Sequence, residues 1–335
     1  MMRNFLPLAL SLLLLLPGCD TGASREQTGL LEQARAFMAS GRYSQALLYY
    51  QEAAALREGY DPALQLELAE AAVLASQAER NRTVRQKAFE AMQVLTESPG
   101  EAEPRRIGEL WRRLGWEIAR DNDSLQAYDA FGMAVECSPE MAEVFEEEWL
   151  FRGVFAAGHL SAVAGVPDSL SGNPEGDSLL AACAERHLVE LDRVPLVRTD
   201  LRTQRLRAAA RLMQYAPARW SDELSVLTEL DRLDEIDPGW RYRRMELLIR
   251  SARRDLEQGQ GPLARERLME VWNSSFTGVR VEAALLMGEV AQDAGDVEGA
   301  LLWYNRACQV APGLGTQAAV TAAARRDSLR FFVTP

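Results

Sequence analysis

The chain has 335 residues, a formal net charge of −12 and 47% apolar residues. That length suits two ordinary domains or one long repeat array, and that apolar share is enough to bury a core. The negative charge argues against nucleic acid or an anionic lipid surface as the main partner, because both select basic patches.

At the start of the chain, Arg3 precedes a short apolar run from Phe5 to Leu16, followed by Leu16-Pro17-Gly18-Cys19. The run is too short and too early for a comfortable spanning helix and has the shape of a secretory signal. Its ending resembles the bacterial lipoprotein box. That resemblance implies a signal peptide over residues 1–18 and a mature protein that begins at a lipidated Cys19. An ordinary cleaved signal or an uncleaved anchor is the alternative. Several acyl chains hold a protein firmly where one is marginal. Asp20 resembles an inner-membrane retention signal of enterobacterial lipoproteins, but the choice of membrane stays open. Residues Asp20 to Thr28 read as a polar tether of at most about 30 Å, so residues 19–28 form the anchor and the folded part spans 29–335.

From Leu30 onward the pattern is helical throughout. Leu30, Ala34 and Phe37 share one face. Gly41-Arg42-Tyr43 follows, and then Ala46, Tyr50 and Ala53. Asp61-Pro62 ends this unit and opens the next. In the next, Leu66, Ala69 and Val73 mark one helix and Ala88, Met92 and Leu95 a second. The polar segment Arg80–Arg85 predicts a longer turn between them. From Trp111 to Pro139 the pattern is fullest. Trp111, Leu114, Gly115 and Ile118 lie on one face, and Ala127, Phe131 and Ala134 on another, closed by Pro139. This stretch resembles a tetratricopeptide (TPR) repeat, W-x2-L-G-x2-Y, A-x3-F, P, with Ile118 at the Tyr position.

The register continues beyond Pro139. Trp149, Gly153 and Ala156 take first-helix positions, and Ala184, Leu188 and Leu191 second-helix positions. Between them Gly165 to Ser178 reads as an inserted loop without periodicity. Leu201–Tyr215 and Glu223–Ile236 form a degenerate pair closed by Asp237-Pro238. Leu248, Ala252 and Leu256 then lead through Gly259 to Ala264, Leu268 and Val271. In the last pair, Ala284, Met287, Gly288 and Ala291 lead through Gly295-Asp296 to Ala300, Tyr304 and Ala307. Ala252 to Gly288 and Ala264 to Ala300 are both 36 residues, the constancy of directly stacked units. Thr316 to Leu329 reads as a terminal helix covering the open end. The expected fold is all-α: a right-handed superhelical solenoid of about seven antiparallel helix pairs plus a C-terminal capping helix. A non-repetitive helical bundle is the alternative.

No catalytic, nucleotide or metal motif is present, and His159 and His187 have no metal-pairing neighbour three or four residues on. Neither a cofactor nor an enzymatic activity is expected. Cys137, Cys183 and Cys308 are scattered, cannot all pair within one chain, and read as small buried hydrophobes. The TPR resemblance implies a concave groove lined by first-helix positions that face away from the paired helix. Mapped onto the motif, these are Arg112, Trp116 and Arg120 in the central repeat, Arg253 in the sixth, and Glu282, Glu289 and Gln292 in the last. For Trp116, packing against the neighbouring repeat competes with ligand contact. Trp111 belongs to the core. The function expected is a lipid-anchored TPR scaffold of the bacterial envelope that binds another protein, resembling lipoproteins that assist outer-membrane barrel or secretin assembly. An envelope enzyme or glycan-binding subunit using the groove or the 165–178 loop, and a structural spacer, are the alternatives.

Overall fold

The computed structural model describes residues 21–57, 59–139, 145–167, 170, 172–194, 199–310 and 316–333. Residues 1–18, Cys19 and Asp20 therefore lie outside the described residues. Among those described there is no strand, and no helix is long and apolar enough to cross a membrane. The helices are α1 (Thr21–Ala39), α2 (Tyr43–Ala55), α3 (Pro62–Glu79), α4 (Arg82–Glu97), α5 (Pro104–Arg120), α6 (Ser124–Cys137), α7 (Glu146–Gly158), α8 (Leu160–Val163), α9 (Pro174–Asp192), α10 (Thr199–Met213), α11 (Trp220–Arg232), α12 (Pro238–Glu257), α13 (Gly261–Trp272), α14 (Thr277–Asp293), α15 (Val297–Val310) and α16 (Gln317–Val333).

Local chemistry sets where these helices begin. Asp61, Asn81, Asp123, Asn173 and Asp237 each accept a hydrogen bond from a first-turn backbone N–H of the helix that follows, satisfying donors that have no partner within the helix. Pro62, Pro104, Pro174 and Pro238 stand at the first helical position, where the missing N–H costs nothing. The turns after α1, α5, α12 and α14 place Gly41, Asn122, Gly259 and Gly295 at φ between 61° and 75°, the left-handed region open to glycine and tolerated by asparagine.

The chain divides into two compact units, residues 1–152 and 153–335, with the boundary inside α7. In the first unit α1 packs on α2, α3 on α4 and α5 on α6. In the second α10 packs on α11, α12 on α13 and α14 on α15, and α16 covers α14 and α15. First helices also meet across repeats, α3 with α5 and α12 with α14, so each unit is a stack of antiparallel helix pairs in which a repeat touches only its neighbours.

The register responsible is small against large. Ala34 and Tyr50, Gly115 and Phe131, Ala252 and Leu268, and Gly288 and Tyr304 are each 16 residues apart, and the alanines and large partners are buried. At the glycines the contact is closest: a Cβ added to Gly115 falls 2.6 Å from the Phe131 ring, and one added to Gly288 falls 2.3 Å from that of Tyr304. Gly153 meets Leu191 of α9 in the same way, at 2.5 Å. Trp111 is wholly buried, with Nε1 donating to Thr96 Oγ1 at 2.8 Å. Burying a side chain of this size contributes about 1.5–3 kcal/mol.

Three sequence expectations are corrected. Residues 21–28, read as a tether, are the first turns of α1. The α3–α4 turn is the two residues Arg80 and Asn81 rather than a long one; Arg80 takes φ 49° and Asn81 caps α4. The inserted loop ends at Asn173, because Pro174 and the Asn173 cap start α9 there.

Candidate functional site

The first helices of successive repeats are tied by ion pairs. In the first unit Arg35 Nη2 lies 2.8 Å from Glu67 Oε1, Arg106 pairs with Glu70, and Arg112 Nε lies 2.7 Å from Glu148 Oε1. These join α1 to α3, α3 to α5 and α5 to α7. In the second unit Arg253 Nη2 lies 2.5 Å from Glu282 Oε1, and Arg325 Nη2 lies 3.0 Å from Glu289 Oε1, joining α12 to α14 and α14 to α16. Arg112 is thus one rung of the first unit's ladder, and Arg253, Glu282 and Glu289 are rungs of the second unit's. At Glu67 burial pushes the carboxyl pKa up, but hydrogen bonds from Arg35 and Tyr50 outweigh it and hold the group below its ordinary value.

Around Arg112 the arrangement is largely internal. Glu148 is fully buried and accepts from Arg112 Nε and from Trp116 Nε1, the latter at 2.5 Å. Trp116 packs edge-on against Phe131 and Phe151, with ring centroids 4.9 and 6.1 Å away. Its body and its N–H are both engaged, as the packing reading of this residue requires. Arg120 is exposed and lies 2.5 Å from Glu117. Gln292 is exposed and accepts from the Tyr304 hydroxyl at 2.8 Å.

In the second unit the first-helix face opens into a groove of about 1150 Å³. Its apolar floor is Ile249, Val279 and Leu285, and its charged walls include Arg250, Arg253, Arg254 and Glu282. Of the sequence-predicted residues it brings together Arg253 and Glu282; Glu289 and Gln292 are not among those lining it. It adds residues that sequence reasoning missed. Trp220, at the start of α11, carries two guanidiniums over its indole, Arg250 at 4.9 Å and Arg254 at 5.8 Å from the ring centroid. Tyr242 stands at the other end of α12, edge-on to Phe276 at 5.3 Å. Trp220 opens a second helix of the degenerate fifth repeat, so motif mapping by first-helix position passes it over.

Nothing among the described residues assembles a metal centre. Cys137, Cys183 and Cys308 are free thiols, and burial pushes the Cys137 pKa up, away from thiolate reactivity. His187 is buried, with Nδ1 2.7 Å from Glu190 Oε2.

No protein-family model matches the chain, and no curated protein does. Among solved structures, a tetratricopeptide repeat protein from Parabacteroides merdae is 13% identical, with 90% of this chain and 99% of that chain covered and a TM-score of 0.30. The C-terminal part of a TPR repeat-containing protein from Cytophaga hutchinsonii is 12% identical, covering 87% and 98%, with a TM-score of 0.32. The TPR2AB domain of yeast Sti1 in its pHSP90 complex is 12% identical, covering 92% and 98%, with a TM-score of 0.28. These likenesses are low. The stacked-pair fold stands on the chain's own small-against-large register.

Proposed function

We propose that the protein is a non-enzymatic, membrane-anchored scaffold of the bacterial envelope that captures an extended segment of another protein in the first-helix groove of the second unit. The observation that carries the reading is the groove itself. It is long, has an apolar floor, and is flanked by Trp220 and Tyr242, residue types enriched where protein partners bind. From Tyr242 to Arg254 the α12 wall rises about 18 Å, which accommodates about five or six residues of extended chain. Of the three lining acids, Glu282 is bound by Arg253 and Glu246 lies 3.5 Å from Arg243, which leaves Glu257 without a second uncommitted acid to form a catalytic pair. The anchor and envelope location are supported by the residues up to Cys19.

A photoreactive amino acid at Tyr242, inside the groove, is expected to yield a reproducible protein adduct in cells, and the same group at the exposed Leu302 is not. Equal labelling at the two positions, or none from a folded protein, refutes the groove. Cys19→Ala is expected to move the protein from membranes to the soluble fraction; unchanged membrane association refutes the anchor.

A further inference from the structure

The groove's charges are not equally available. Arg253 and Glu282 neutralise one another, and Glu246 has Arg243. Arg250 and Arg254 have no carboxylate partner among the described residues; each is exposed and rests on the face of Trp220. They lie one helical turn apart on α12, so both guanidiniums point to the same end of the groove. Glu257 is the one acid of the lining with no cation bound to it among the described residues. In a chain of net charge −12, this is a local concentration of uncommitted positive charge.

Stacking on an indole orients a guanidinium without consuming its N–H donors, because the attraction acts through the ring face while the donors radiate in the guanidinium plane. Two such groups held side by side present a forked set of donors matched to carboxylate oxygens. Much of the rotamer entropy that a free arginine loses on binding is already lost here. Trp220 also offers flanking apolar surface for the methylenes of a glutamate.

The geometry points to an acidic segment as the occupant: an extended stretch of a partner protein carrying two or more glutamates or aspartates, seated with its carboxylates on Arg250 and Arg254. This rests on the groove reading above and names the partner chemistry. The test is fluorescence anisotropy with three labelled octapeptides, in which serine alternates with glutamate, with glutamine or with lysine. The full chain is used at 50 and 300 mM salt. The glutamate peptide is expected to bind at least tenfold tighter than the glutamine peptide at low salt, and the gap to narrow at high salt. An R250Q/R254Q variant, both positions being exposed, should keep its helical circular dichroism and its affinity for the glutamine peptide while losing the preference for glutamate. R250K/R254K, with the charge kept but the planar fork lost, should fall between. Equal or tighter binding of the glutamine or lysine peptide overturns the acidic occupant, and a preference that survives R250Q/R254Q overturns its seating on these arginines; either result leaves the groove standing. Failure of all three peptides to bind overturns both.

Discussion

Arg112 and Arg253 each tie the first helices of successive repeats, one in each unit, and the structure assigns them different weights. In the first pair the Arg112 side chain is 30% exposed and Glu148 is 0% exposed; in the second Arg253 is 56% and Glu282 33% exposed. Removing one partner of a buried pair leaves an uncompensated charge and costs about 3–5 kcal/mol, whereas exposed pairs contribute about 0–1 kcal/mol. Arg112→Ala leaves Glu148 buried with the Trp116 N–H still donating, so its cost falls between these limits at about 2–3 kcal/mol. Arg253→Ala costs less than about 1 kcal/mol. A stack of repeats opens locally, so the assay is native-state hydrogen exchange resolved by helix. Protected amides of α5–α7 should exchange roughly 30- to 150-fold faster in Arg112→Ala, and those of α12–α14 less than about fivefold faster in Arg253→Ala, at 1.4 kcal/mol per factor of ten. Replacing the first pair by apolar residues, Arg112→Met with Glu148→Leu, should recover at least half the loss, because no buried charge is stranded. If Arg112→Ala is nearly silent, or Arg253→Ala costs as much, the distinction between a buried and an exposed ion pair fails.

Gly288→Ala drives a Cβ against the Tyr304 ring and should destabilise the last pair by about 1–3 kcal/mol; adding Tyr304→Leu, which recreates the Ala252–Leu268 combination, should restore part of it in a urea titration. Glu67 has a folded pKa below its ordinary 4.5, so its contribution is present above that value and is lost as pH falls through the depressed one. The pair is partly exposed, so the effect is small, and Glu67→Gln should show a shallower acid limb of α1–α3 protection than the parent. Arg80 holds φ 49° at the end of α3. Relieving it with Arg80→Gly should raise the unfolding free energy from a urea titration by about 0.5–1 kcal/mol once the flexibility of unfolded glycine is deducted; a lower value would show the left-handed turn is not strained.

The repeat architecture is legible because it is a packing problem with a period. Where two helices cross closely, one must be small, and Gly115 against Phe131 or Gly288 against Tyr304 writes that requirement into the sequence at fixed spacing. Where the register is irregular, the reading loses resolution. The polar run Arg80–Arg85 looks like a long turn because its arginines read as solvated loop residues, whereas Arg85 is buried on α4 and paired with Asp121. What starts α4 is the Asn81 side chain, a signal one residue wide. Gly165–Ser178 misleads in the opposite direction: Pro174 looks like a continued loop, yet proline after an asparagine cap is how a helix begins.

The groove residues pose a different difficulty, because a first-helix charge facing away from its paired helix satisfies two unlike roles. It can meet a ligand or the next repeat, and local pattern treats both alike. Periodicity separates them. Glu70 and Arg106, Arg112 and Glu148, and Glu289 and Arg325 are each 36 residues apart, the same interval that separates Gly288 from Ala252. A residue one period away on the same face of the next repeat is a neighbour, and in these three cases opposite charges at that interval pair; Arg253 instead pairs 29 residues on with Glu282, while Glu289, 36 residues on, is held by Arg325. One period beyond Arg250 and Arg254 stand Leu286 and Val290, and one period before them Gln214 and Ala218. No carboxylate waits at either interval. Arg250 and Arg254 thus have neither a carboxylate one period away nor an ion pair among the described residues, and of the arginines held over an aromatic ring they are the two that line the groove, where a partner's carboxylates can reach them.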